Sequence, residues 1–147
     1  MKITDALLGE HGAFYAQFDR LDEQLPSCRD VAEVREQAAL LASALVSHAR
    51  LEDEQLFAAM ARAGADPGLI ASMESEHEVI ADRLSRAQGT ADLTLARNEL
   101  LEAVSLARDH FAKEERLAFP LANELLASAE LLDLGAAWAE RRDVFVA

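Results

Sequence analysis

Cysteine is almost missing from this chain. The single Cys28 cannot close an intrachain disulfide, and with no CxxC pair there is no thiolate set for zinc, redox or iron–sulfur chemistry. Glycine and proline are also scarce, six and three in 147 residues, which excludes collagen-like and low-complexity chains. Aromatics are only 5%, but 51% hydrophobic residues against 28% charged is too apolar for a disordered chain. Positive charge is in short supply. Fourteen Lys and Arg against 27 Asp and Glu leave a net charge of −13, the wrong sign for a phosphate backbone or an anionic membrane. Neither nucleic acid nor membrane is therefore expected as a partner. Long apolar runs are missing as well: the tract from Ala38 to Val46 already contains Ser43 and falls far short of the ~20 residues of a membrane span. The first ten residues carry acids where a signal peptide needs an apolar stretch, so a cytoplasmic location is expected.

What remains is rich in Ala, Leu, Glu and Arg and poor in β-branched residues, a helical composition. Thr4 or Asp5 can cap a first helix that runs to about Leu25. Asp30, with Glu33 at capping-box spacing, opens a long second helix. Gly64 marks its end, and Asp66-Pro67 supplies an N-cap and an N1 proline for a third. Gly89 closes the third helix, Thr90 or Asp92 starts a fourth, and Pro120 should kink or end it. Ser128 begins a shorter fifth. Long amphipathic helices on short loops predict an all-α, up-down-up-down four-helix bundle. We read 1–147 as a single domain, with the bundle over about 5–127 and a short C-terminal helix over about 129–142.

The chemistry lies on the apolar stripes. Steps of three and four pick out Leu7, His11, Phe14, Phe18, Leu21 and Leu25 on the first helix. The second reads Val34, Ala38, Leu41, Leu45, His48, Glu52 and then Gln55 or Leu56. The third reads Ile70, Met73, His77, Ile80, Leu84 and Ala87. The fourth reads Leu93, Ala96, Leu100, Ala103, Ala107, His110, Glu114, Leu117 and Leu121. All four histidines of the protein fall on a stripe, one per helix. A lone stripe histidine is ordinarily a core residue bonded to a carbonyl or a water; one on every helix points to a shared site.

His48-x-x-x-Glu52 and His110-x-x-x-Glu114 each set an imidazole and a carboxylate one turn apart on the same face. Buried and unpaired, such groups would cost roughly 1–3 kcal/mol apiece, and more for charges. No Lys or Arg shares the stripes beside them, so a polyvalent cation is the better compensation. The pattern repeats. Glu10-His11 and Glu76-His77 are 66 residues apart, and the two HxxxE motifs are 62 apart. Two helical hairpins thus carry one His and one HxxxE each. That division suggests two metal ions, each with two imidazoles, both bridged by the carboxylates. The donor set suits iron, and also manganese or zinc.

One His on the first helix, HxxxE followed by an acid and Leu-Phe on the second, Glu-His on the third, and HxxxEE with a later Phe119-Pro120 on the fourth resemble the hemerythrin-like HHE cation-binding family. The resemblance covers about residues 7–121. It implies an oxygen-reactive non-heme di-iron centre in a four-helix bundle, with His11, His48, His77 and His110 as terminal ligands and Glu52 and Glu114 as bridges. Oxygen-carrying hemerythrins have a second His on the third helix, where this chain has Met73 or Ala81. Their helix-four carboxylate comes five residues after the His, at the place of Glu115, so Glu115 stands as the alternative bridge to Glu114.

Tyr15, one turn after His11, is read either as a core-edge aromatic with its hydroxyl in water or as a phenolate ligand or proton donor at the site. Glu10 and Glu76 are read as solvated or, as the alternative, as hydrogen-bonding an imidazole from behind, Glu74 as a candidate extra ligand, and Cys28 and Trp138 as a turn residue and a packing anchor. The expected function is a di-iron protein that reacts with or senses oxygen, peroxide or nitric oxide, with low-turnover oxidoreductase or peroxidase-like activity as its catalytic form. The alternative is an iron or zinc sensor or buffer without redox catalysis.

Overall fold

The computed structural model describes residues 1–145. α1 spans Ile3–Gln24 and closes in a 3-10 turn, Leu25–Ser27. α2 is one rod in three pieces: α-helical Val31–Leu51, a widened π-helical stretch Glu52–Phe57, and α-helical Ala58–Arg62. α3 is Pro67–Gly89. α4 repeats the construction of α2, with Leu93–Lys113, a π-helical stretch Glu114–Ala118, and Phe119–Leu125. α5 is Ser128–Arg141. No strand occurs among the described residues, and no helix there is long and apolar enough to cross a membrane.

Side-chain caps set three of the five helix starts. The carboxylates of Asp30, Asp66 and Asp92 accept from the backbone N–H of Ala32, Leu69 and Leu95 at 2.9, 3.0 and 2.8 Å. Gly64 takes the left-handed conformation, φ 90°, that ends α2. α1 starts earlier than Thr4 or Asp5 as caps would have it: Lys2 is the N-cap, and its backbone N–H donates to Asp5 Oδ2 at 3.3 Å. Cross-links fix the antiparallel order. Thr4 meets Asn123 and Asp19 meets Arg108 between α1 and α4, while Arg83 meets Glu99 between α3 and α4.

The apolar core comes in two parts. One, around Leu7, Leu56, Phe57, Met60, Met73 and Phe119, lies at the α2–α3 turn and extends under α5. The other, around Phe18, Leu21, Leu41, Leu84, Leu100 and Phe111, fills the opposite end. Between them lies the layer that holds the four histidines and the two HxxxE glutamates.

Two features of α4 have one cause, and the first departs from the sequence reading. A π turn holds one residue more than an α turn and so rotates everything after it. Beyond Glu114 the inward positions are Ala118 and Ala122, while Leu117, expected on the stripe, is 54% exposed. The same widening lies immediately ahead of Pro120, which would otherwise clash with the carbonyl four residues back. The helix therefore runs through Pro120 to Leu125, so of the two expectations at Pro120, a kink or an end, the end is excluded. In α2 the shift falls on the Gln55 or Leu56 alternative, and Leu56 is the buried one.

α5 packs on α1 through Gly135. A Cβ there would stand 2.1 Å from Met1 O and 3.1 Å from Ile3 N, backbone atoms with no flexible end to move. Gly135→Ala is expected to destabilise the protein by about 1–3 kcal/mol in urea unfolding, the range for overpacking. An unchanged midpoint would show that α5 does not dock at this distance.

Candidate metal centre

Each of the six side chains is placed by its stripe. His11 projects from mid-α1, His48 from the last α turn of α2, His77 from mid-α3 and His110 from α4. Glu52 and Glu114 are each the first residue of a π-helical stretch. Widened turns of this kind recur at functional sites because they aim a side chain where a regular helix would not. His11, His48, His110, Glu52 and Glu114 are at most 2% exposed. The His77 side chain is 10% exposed.

The six form two interlocking groups: His11, His48, Glu52 and Glu114; and His77, His110, Glu52 and Glu114. In the first, His48 Nε2 is 3.1 Å from Glu52 Oε1 and His11 Nε2 is 3.3 Å from Glu114 Oε2. In the second, His110 Nε2 is 3.0 Å from Glu114 Oε1 and His77 Nε2 is 3.3 Å from Glu52 Oε2. Each glutamate thus turns one oxygen to each group, and the two-fold logic of the sequence repeat appears in space.

Eight buried atoms here, the four Nε2 and both oxygens of Glu52 and Glu114, have no hydrogen-bond partner among the described residues. Buried polar atoms are rarely left so. Donors each ~2.1 Å from one ion and at near right angles to each other lie about 3 Å apart. The spacings fit a cation in each group; without it, protonated imidazoles facing the two carboxylates are the compensation the layer offers.

Behind the histidines stands a ring of carboxylates. With Nε2 turned inward, each Nδ1–H donates outward: His48 to Glu10 at 2.5 Å, His110 to Glu76 at 2.7 Å, His11 to Glu115 at 2.9 Å and His77 to Asp53 at 3.0 Å. Such partners fix the tautomer and ring orientation of a ligating imidazole. Ring packing helps: His11 lies flat on Phe111, centroids 3.8 Å apart and planes within 6°. Burial would raise the Glu10 carboxyl, but hydrogen bonds from His48 and Arg142 outweigh it and hold it at about 2.

These acids correct several sequence readings. Of the two readings of Glu10 and Glu76, the solvated face gives way to the hydrogen bond: their long side chains curl back to an imidazole on the neighbouring helix. Asp53 joins them behind His77, a role that stripe counting misses. The signal was present, because each of the four acids adjoins an inward residue in the chain: Glu10 before His11, Glu76 before His77, Asp53 after Glu52 and Glu115 after Glu114. Glu115 thus sits behind His11 and not in the inner layer. Tyr15 is outside both groups, and its hydroxyl neither hangs in water nor faces them. It donates to Glu115 Oε1 at 3.0 Å. Burial and that carboxylate push the phenol up to about 12, so it stays protonated. Glu74 is exposed. Trp138 packs in the core, as expected, and in addition donates its indole N–H to Glu10.

No curated protein and no solved structure gives a significant match to this sequence. The family model of the hemerythrin HHE cation binding domain does, over residues 2–134. A match over nearly the whole chain, on a helical bundle whose His and Glu side chains form two candidate cation-binding groups, places the chain in the hemerythrin HHE cation-binding family.

Proposed function

We propose that this chain is a cytoplasmic non-heme di-iron protein that reacts with or senses oxygen, peroxide or nitric oxide. The observation that carries the reading is the set of eight unpartnered inner atoms, divided evenly between two groups that share both carboxylates. His11 and His48 would hold one ion and His77 and His110 the other, with Glu52 and Glu114 bridging. A pair of iron ions held this way supplies electrons to a small oxidant.

The surroundings support a small neutral ligand. A cavity of about 30 Å³ reaches His48, His77 and His110 between walls of Leu45, Ile80, Ala81, Leu84 and Phe111. That is room for a molecule about the size of water, in an apolar lining that discourages anions. Ala81 stands one turn from His77, a place the oxygen carriers can give to an extra imidazole. Its small side chain leaves that direction open, which favours reaction over reversible carriage.

The test is anaerobic loading of the metal-free protein with iron(II), followed by stopped-flow mixing with oxygenated buffer. Two iron ions per chain and an oxidised form that persists after purging are expected. One ion or none ends the di-iron reading. Two ions with no reaction would make the chain an iron or zinc buffer or sensor, and a colour that purging reverses over several cycles would make it a carrier.

A further inference from the structure

The sequence repeat treats the two halves of the centre alike; the fifth helix does not. Glu10, behind His48, accepts from three more donors, all on or just beyond α5. Trp138 Nε1–H donates to its Oε1 at 2.8 Å, Arg142 Nε–H to Oε1 at 2.7 Å, and Arg142 Nη2–H to Oε2 at 3.2 Å. The remaining arm of the same guanidinium, Nη1, donates to Ser47 Oγ at 2.5 Å, on the residue just before His48. Arg142 therefore grips both the outer partner of His48 and the backbone neighbour that carries it. The Glu10 side chain is left 15% exposed.

Its counterpart is held more lightly, and by the bundle alone. Glu76, behind His110, is 36% exposed, and its cation is Lys113 of α4 itself, a single ammonium that donates to Glu76 at 2.6 Å and to Ser72 Oγ at 2.8 Å, with no indole or guanidinium fork added from α5. The other pair of outer acids repeats the contrast. Glu115, behind His11, receives the Tyr15 hydroxyl, whereas Asp53, behind His77, has its His as its one ion-pair partner among the described residues. Tyr15 and Ala81 are equivalent in the repeat, each four residues after its histidine, so one half has a bracing phenol where the other has the wall of a cavity.

We propose that Trp138 and Arg142 are positioning residues of the centre. By immobilising Glu10 they lock His48 with Nδ1 protonated and Nε2 facing inward, and so make the His11/His48 half the tighter and first-filled of two unequal metal sites. The appended helix is then a working part of the centre, serving one half of it. A fork that saturates a carboxylate from two sides is suited to this: it removes the rotamer freedom that Glu10 would otherwise give to the imidazole it holds. This inference rests on the two-metal reading above.

The experiment titrates the metal-free full chain with cobalt(II), without oxygen, and counts bound ions by equilibrium dialysis. Trp138, the one tryptophan in the sequence, provides a fluorescence signal beside the first site. The wild type is expected to bind two ions in two resolved steps, with the emission change confined to the first. Trp138→Phe keeps the ring and loses the N–H; Arg142→Gln loses the charge and the fork. Each is expected to weaken one of the two ions by about tenfold, the lower end for loss of an outer partner, and to leave the other unchanged. Arg142→Lys should recover part of the loss. A merely structural role would lower the metal-free melting temperature and weaken both ions together, and that outcome overturns the proposal. So do variants that bind both ions as the wild type does. A wild type that binds two ions while the variants are silent sinks this inference alone; a wild type that binds fewer than two sinks the metal reading beneath it as well.

Discussion

Glu52→Ala and Glu114→Ala are expected to abolish both metals, whereas His48→Ala should abolish one. The difference follows from how the carboxylates are shared. Glu52 turns Oε1 toward His48 and Oε2 toward His77, and Glu114 turns Oε1 toward His110 and Oε2 toward His11, so deleting either glutamate removes a donor from each group. His48 belongs to one group only. Loss of metal should be visible in stability too. A ligand present at a thousand times its dissociation constant stabilises a fold by about 4 kcal/mol. At a few degrees per kcal/mol for a chain of this size, chelating the wild type should lower its melting temperature by roughly 10 °C. The chelator should leave the melting temperature of the Glu52→Ala and Glu114→Ala proteins where it was. Metal analysis of the variants and paired melts with and without chelator check both parts. A variant lacking Glu52 that still holds two ions would show that the glutamates do not bridge, and a wild type insensitive to chelator would show that the six side chains are not a shared site.

The inner layer was legible because it is written in helical periodicity. A stripe residue points inward whatever its chemistry, so His11, His48, Glu52, His77, His110 and Glu114 could be found by counting threes and fours. Counting fails where the helix stops being an α-helix. Nothing in Glu114–Ala118 or Glu52–Phe57 announces a π turn by composition, and the turn moved Leu117 out to solvent and carried Pro120 inside a continuing helix. Counting fails again one residue off the stripe. Glu10 and Glu76 lie beside an inward position, and a two-methylene side chain there can reach either water or the next helix. Their destination depends on the donors that neighbouring helices bring: His48, Trp138 and Arg142 for Glu10, and His110 and Lys113 for Glu76. Those partners are 34 to 132 residues distant in the chain, a relation that no local pattern encodes.

Metal loading at pH 7.5 is expected to release up to three protons per chain, one each from His11, His48 and His77. Burial alone pushes these imidazoles down from their ordinary 6.5, but the carboxylates around them win. Glu114 and Glu52 bring His11 up to about 9; Glu52 and Glu10 bring His48 up to about 10; Asp53 and Glu52 bring His77 up to about 10. Without metal the three rings therefore hold protons at neutral pH, and an incoming cation must displace them. Two opposite pH dependences follow over one interval. Because these folded values lie above the unfolded 6.5, the imidazoliums contribute stability that is complete below 6.5 and fades as pH rises through 9 to 10. The metal-free protein should thus melt at progressively lower temperature from pH 6.5 to 10, while apparent metal affinity climbs across the same range. Glu52 acts at the other end: its carboxyl lies well below 4.5 in the fold, pulled down against burial by His48 and the other imidazoles, so its share persists above 4.5 and is lost only on strong acidification. Calorimetric titration with cobalt(II) in two buffers of different ionisation enthalpy counts the protons directly. A count of two to three, with melting curves of metal-free and metal-loaded protein that diverge as pH rises, is the expected result. A count of zero, or a metal-free form that gains stability between pH 6.5 and 10, would mean that the inner imidazoles are already neutral before the metal arrives.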